Sequence, residues 1–80
     1  MTIEYRLPQL GMGMQEGTIV EWCVAEGQHV TEGDPLVVIE NAKAETEVEA
    51  PFSGTLASIR VPAGQTVPVQ TLLAVFDEGP

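Results

Sequence analysis

The chain has 80 residues, 12 of them acidic and three basic, for a formal net charge of −9. That length fits one domain with a thin core, and the acidic balance argues against nucleic acid or an anionic membrane as a partner. One cysteine, Cys23, and one histidine, His29, cannot form an internal disulfide or a zinc centre, so packing and hydrogen bonds must hold the fold.

In chain order, Met1 to Leu10 offers no apolar stretch of signal-peptide length, and no run of residues approaches a membrane span. The expected setting is a reducing compartment, the cytoplasm or, in a eukaryote, the mitochondrial matrix. Gly11-Met12-Gly13-Met14-Gln15-Glu16 reads as a surface loop. Its Gly-x-Gly is not a dinucleotide fingerprint, because it leads into a strand pattern and not a helix. Residues 18–24, 36–40 and 55–61 are rich in β-branched and aromatic types and read as strands. Glu45 to Ala50 alternates strictly, which predicts Thr46, Val48 and Ala50 facing inward and three glutamates facing water. Glycines and prolines punctuate these runs, and no helical period persists. The pattern predicts an all-β domain over residues 1–80, a sandwich or flattened barrel, with Glu78-Gly79-Pro80 starting a tail or linker.

Residues 17–40 align without a gap on residues 54–77, at an offset of 37. Gly17/Gly54, Thr18/Thr55, Val24/Val61, Gly27/Gly64, Gln28/Gln65, Val30/Val67, Leu36/Leu73 and Val38/Val75 are identical. Glycines and apolar residues dominate the matches, which predicts two copies of one β unit about a pseudo-two-fold axis, with Gly27 and Gly64 in equivalent turns. Between the units lie Asn41-Ala42-Lys43-Ala44, suited to a tight hairpin turn. A two-fold would bring the chain ends together at one end of the domain and set this turn at the other.

Lys43 is the only lysine. On an exposed turn nothing desolvates its amine, so it lacks the means to act as a base or a Schiff-base nucleophile; a catalytic role is not expected. Two readings remain, a solvated surface residue or a unique amine open to an external modifying enzyme, with small neighbours Ala42 and Ala44 on either side. Trp22 is expected in the core, Cys23 as a small strand residue without redox function, and His29 on the surface.

Leu7-Pro8-Gln9-Leu10-Gly11, Met14 to Trp22, Glu26-Gly27, Gly33-Asp34, Glu40 to Ala44, Glu49-Ala50-Pro51 with Gly54, and Val67-Pro68-Val69 occur in that order around the single lysine. In this the chain resembles the lipoyl domain family over nearly its whole length. The resemblance implies a flattened barrel of two four-stranded antiparallel sheets, with Lys43 at a hairpin turn as the site of ATP-dependent lipoate attachment. It implies that Glu40, with Ala42 and Ala44, is read by the lipoate-attaching enzyme, and that the loop Gly11–Glu16 is read by a partner dehydrogenase. The family commonly has Asp-Lys-Ala where this chain has Ala42-Lys43-Ala44. Ala44 fits the lipoyl pattern, and neither flank is the methionine common in biotinyl domains.

The function so implied is that of a monomeric, non-catalytic carrier in a 2-oxo acid or acetoin dehydrogenase complex. Its partners would be a thiamine-diphosphate-dependent dehydrogenase, an acyltransferase core and dihydrolipoyl dehydrogenase. A biotinyl carrier of a carboxylase and an unmodified β-barrel interaction module are the alternatives.

Overall fold

The computed structural model describes residues 2–41 and 44–78. Eight strands follow one another in these residues: β1 (Thr2–Arg6), β2 (Glu16–Trp22), β3 (His29–Val30), β4 (Pro35–Asn41), β5 (Ala44–Glu49), β6 (Gly54–Ile59), β7 (Thr66–Pro68) and β8 (Leu72–Asp77). They form two four-stranded antiparallel sheets, one in the order β1-β8-β6-β3 and the other in the order β5-β4-β2-β7. The short strands β3 and β7 each leave their own unit and join the sheet of the other.

The offset of 37 recurs in the hydrogen bonds. Gly27 N–H donates to Leu56 O at 2.7 Å and Gly64 N–H to Ile19 O at 2.6 Å; Leu56 N–H donates to Gln28 O and Ile19 N–H to Gln65 O, both at 2.9 Å. Cys23 N–H to Leu36 O and Arg60 N–H to Leu73 O are both 2.8 Å. The bulges match too, falling between Ile19 and Glu21 in β2 and between Leu56 and Ser58 in β6. Gly27 and Gly64 have φ of 91° and 95°, the left-handed region in which a side chain is strained.

The core is the apolar face of both sheets: Leu7, Ile19, Leu36, Val37, Ile39, Leu56, Leu73, Ala74 and Phe76 are fully buried. Among the described residues no charged side chain is buried. At one end Tyr5, Phe52 and Phe76 meet edge to face, with ring centroids 4.9 to 6.4 Å apart, the geometry aromatic quadrupoles favour.

Four expectations are refined. Strand β1 lies outside the strands read from β-branched runs, although Ile3 and Tyr5 alternate with polar neighbours and point inward. Thr46 is exposed, not buried. It stands opposite Ile39 and on the same face, but β5 is a sheet edge, and of its residues only Val48 packs against the core. Trp22 is half-buried at the core margin, where its indole N–H donates to Val61 O at 2.9 Å; a deeper site would deny that donor its partner. Cys23 lies in the bend just after β2 and is exposed.

The repeat aligns Gly33, φ 96°, with Gln70, φ 78°, the one described non-glycine residue in the left-handed region. A Cβ there costs about 1–2 kcal/mol, less the greater chain freedom glycine brings to the unfolded state. Gln70 is exposed and its contacts in the turn are made by backbone atoms. Gln70→Gly is therefore expected to be neutral or stabilising by up to about 1 kcal/mol, and Gly33→Ala destabilising by about 1 kcal/mol or more. Urea unfolding midpoints of the two variants decide it; equal losses in both would count against an equivalent strained turn.

The Tyr5 hydroxyl is buried without a hydrogen-bond partner among the described residues, and desolvation pushes its pKa up to about 12. Folding then favours the protonated phenol. Its contribution to stability is intact below pH 10, the ordinary tyrosine value, and falls between pH 10 and 12 by about 2–3 kcal/mol. Tyr5→Phe should remove that segment of the stability-against-pH curve without lowering stability at pH 7. A variant as alkali-sensitive as the parent would refute this assignment.

Candidate functional site

Strands β4 and β5 pair in register up to Glu40↔Glu45 and Asn41↔Ala44. The ladder thus takes in Asn41 and Ala44, the first and last residues of the four-residue turn read from the sequence. Ala42 and Lys43, which that reading places at the tip, lie outside the described residues. Glu40, Ala44 and Glu45 are exposed. From Ala44, β5 carries the chain roughly 20 Å along the molecule, whose longest extent is 38 Å. It leads to Phe52, which packs on Tyr5 and Phe76 of the paired strands β1 and β8. Thr2 pairs with Asp77 in those strands. The end of the β4–β5 ladder is therefore remote from the rung at which Thr2 meets Asp77.

Glu40 and Glu45 face each other directly across the ladder. Like charges in that position are unfavourable by up to about 1 kcal/mol, so this rung is not explained by stability. It continues through Thr18 to Thr66, whose hydroxyls hydrogen-bond at 2.6 Å. The outer end of the sheet is consequently acidic and hydroxylated. Two rungs further in, Val38 lies between Glu47 and Glu21.

The Gly11–Glu16 loop lies beside this end. A Cβ placed on Gly11 would sit 3.4 Å from Asn41 Nδ2. Gly13, Met14, Gln15 and Glu16 line an open groove of about 320 Å³ together with Thr18, Glu40, Asn41 and Thr66. The two methionines of the loop part company: Met12 is fully exposed, whereas Met14 is buried and packs beneath the loop. Leu7, Val69 and Thr71, which the motif reading does not single out as site residues, fix the ends of this loop through backbone hydrogen bonds. No local pattern in the sequence announces those bonds, because they join segments more than 50 residues apart.

The remaining candidates stand apart from the groove. His29 is exposed on β3. Although Cys23 is exposed, partial desolvation pushes its thiol pKa up, and the carboxylates of Glu47 and Glu21 push it the same way, the opposite of what a reactive thiolate needs. Among the described residues no three His, Cys, Asp or Glu side chains are grouped to hold a metal ion, and no helix is long and apolar enough to cross a membrane.

Comparison with known proteins agrees with this geometry. The family model described as "Biotin-requiring enzyme", which joins biotin and lipoyl domains, matches residues 3–76. Dihydrolipoyllysine-residue acetyltransferase components of pyruvate dehydrogenase complexes are 46% identical in Rhizobium meliloti and 36% identical in Staphylococcus aureus, over 95% and 96% of this chain. The chain spans only 17% and 18% of those relatives. The solution structure of the lipoyl domain of the Azotobacter vinelandii 2-oxoglutarate dehydrogenase complex superposes with a TM-score of 0.80 at 31% identity, covering 98% of this chain and 99% of that one. A single-chain, multi-domain long-chain acyl-CoA carboxylase superposes with a TM-score of 0.79 at 28% identity, over 99% of this chain and 7% of that one. A family match across almost every strand, and a lipoyl domain that coincides with this chain from end to end, place it in the biotin/lipoyl family as a lipoyl-type domain.

Proposed function

We propose that this chain is a carrier domain that receives lipoate in amide linkage on Lys43 from an ATP-dependent lipoate-attaching enzyme. The observation that carries the reading is the register of β4 and β5, whose last rung, Asn41↔Ala44, brackets the chain's only lysine at the end of the sheet remote from Thr2 and Asp77. The donor chemistry fits an externally added group. The bracketing residues Glu40, Ala44 and Glu45 are exposed, so the approach of a modifying enzyme is open, and the Glu40–Glu45 rung gives it a fixed acidic feature to read. When bound, the lipoyl group supplies a reversible disulfide that takes up an acyl group with two electrons and releases them again.

The protein's own contribution is presentation. Two sheets locked into one core hold the β4–β5 end in a fixed orientation, and tethering raises the arm's effective concentration at each active site it visits. The sites to be served are a thiamine-diphosphate-dependent dehydrogenase, an acyltransferase core and dihydrolipoyl dehydrogenase, as the relatives' membership of pyruvate dehydrogenase complexes suggests. In that setting residues 1–80 act as one cytoplasmic, monomeric carrier module that catalyses nothing itself. The loop Gly11–Glu16, set beside the hairpin, is the surface by which the dehydrogenase recognises it.

A biotinyl carrier is the second reading, favoured by the superposition on the carboxylase; the alanine flanks of Lys43 speak against it. Co-expression with a lipoate ligase and with a biotin ligase separates the two. Intact mass is expected to show one lipoyl increment on the parent chain and none on Lys43→Arg, with no streptavidin signal after biotin-ligase co-expression. A parent chain that stays unmodified with lipoate ligase, or an increment that persists in Lys43→Arg, would overturn the proposal.

A further inference from the structure

The loop between β1 and β2 is held at both ends by one turn from the far half of the chain. Leu7 N–H donates to Thr71 O at 2.9 Å, Gln70 N–H to Leu7 O at 3.0 Å, and Val69 N–H to Gln15 O at 3.0 Å. Between these anchors a single side chain fills the space under the loop. Met14 is 7% exposed, and its N–H donates to Gly11 O at 3.1 Å. Its thioether Sδ accepts the Leu10 N–H at 3.2 Å. Gly17 on β2 leaves the room it needs: a Cβ there would lie 2.9 Å from Met14 Cε and 3.1 Å from Ile39 Cγ2. Two residues before Met14, Met12 is 104% exposed, and Leu10 is 36% exposed. These are the large apolar side chains that the described surface presents to water. One loop thus carries a methionine that is wholly inside and a methionine that is wholly outside, with Gly13 at φ 78° reversing the chain between them.

We propose that Met14 is the positioning residue of this loop: it sets the conformation in which Met12 and Leu10 meet the acyl-loading enzyme, while touching no partner itself. The proposal rests on the carrier reading above. A thioether suits the task. It is flexible enough to fill an irregular space, polarizable, and able to accept a weak hydrogen bond from a backbone N–H, here that of Leu10. A loop ordered in advance loses less conformational entropy when a partner docks, and that saving appears as affinity. The interlock of Met14 with Gly17 also makes Gly17 part of the device, since a Cβ there would press on the Met14 methyl and on Ile39 and force the thioether to shift.

The test uses the whole 80-residue chain, 15N-labelled and lipoylated, as parent, Met14→Ala, Met14→Leu and Met12→Ala. Amide exchange and 15N relaxation report loop order. The kcat/KM for reductive acetylation by the thiamine-diphosphate-dependent component of a pyruvate dehydrogenase complex, with pyruvate, reports recognition. Met14→Ala is expected to speed Leu10 amide exchange and loop motion and to lower kcat/KM about ten-fold, chiefly through KM. Met14→Leu, which keeps the volume but not the acceptor, should keep the loop in place while Leu10 exchanges faster. Met12→Ala should lower kcat/KM with loop order unchanged. A Met14→Ala loop as ordered as the parent, or an unchanged kcat/KM once that loop is mobile, would overturn the assignment. Failure of the parent chain to take lipoate shows separately in the intact mass and counts against the carrier reading. The loop-order measurements on unmodified protein still decide whether Met14 holds the loop.

Discussion

Each sheet of this domain is incomplete without a strand from the other half of the chain. β3 completes the sheet built mainly from the second unit, and β7 completes the sheet built mainly from the first. The reciprocal bonds from Gly27 to Leu56 and from Gly64 to Ile19 fasten the exchange. A chain of this size has a thin core and no internal disulfide, so neither half could bury Ile19 or Leu56 on its own. The exchange converts two marginal units into one core, in which the loss of either half exposes the apolar face of the other. The rigidity available at the β4–β5 end follows from that shared core.

The places where the two halves differ are the places where the candidate site lies. The connection from β1 to β2 contains the Gly11–Glu16 loop, whereas its counterpart from β5 to β6 is the short Ala50–Ser53 segment that inserts Phe52 into the aromatic cluster. One end of the molecule therefore carries a projecting loop and the other a closed apolar cap. The same asymmetry puts Gln70 where the first half has Gly33, in the turn that anchors the loop. Strain in a sparsely populated backbone region persists only where the surroundings over-determine it; here four backbone hydrogen bonds and the Arg6 guanidinium on Gln70 O do so.

Much of this was legible in the sequence, and the physical reasons divide cleanly. The gapless offset between residues 17–40 and 54–77 foretells the paired turns at Gly27 and Gly64, because glycines and core apolar residues are the types that turn geometry and burial constrain most; the paired bulges follow the same offset but were not legible in it. The hairpin follows from its position between the copies. What periodicity could not give is the sheet-edge position of β5. Alternation places Thr46 on the inward face, but burial needs a neighbour above it, and that depends on which strands lie across from the edge. Trp22 is similar: its size suggests the interior, while its indole N–H holds it at the margin beside Val61 O. The split between Met12 and Met14 was equally invisible, since both are the same residue in one short loop and only the empty place at Gly17 distinguishes them. Anchoring of the loop by Val69, Gln70 and Thr71 depends on contacts across most of the chain, which local pattern does not encode.

The outer strand of the β5-β4-β2-β7 sheet bears on how such modules behave in company. An unpaired edge is a template onto which a second molecule can add a strand, the route to aggregation that natural sheets must block. Along β5 that template is guarded by Glu45, Glu47 and Glu49, all exposed on a six-residue edge. Two copies meeting edge to edge along β5 would bring their carboxylates together, with no basic residue on either strand. Collisions between copies at this edge are thereby repulsive, and two molecules that meet there come apart and do not extend each other's sheet.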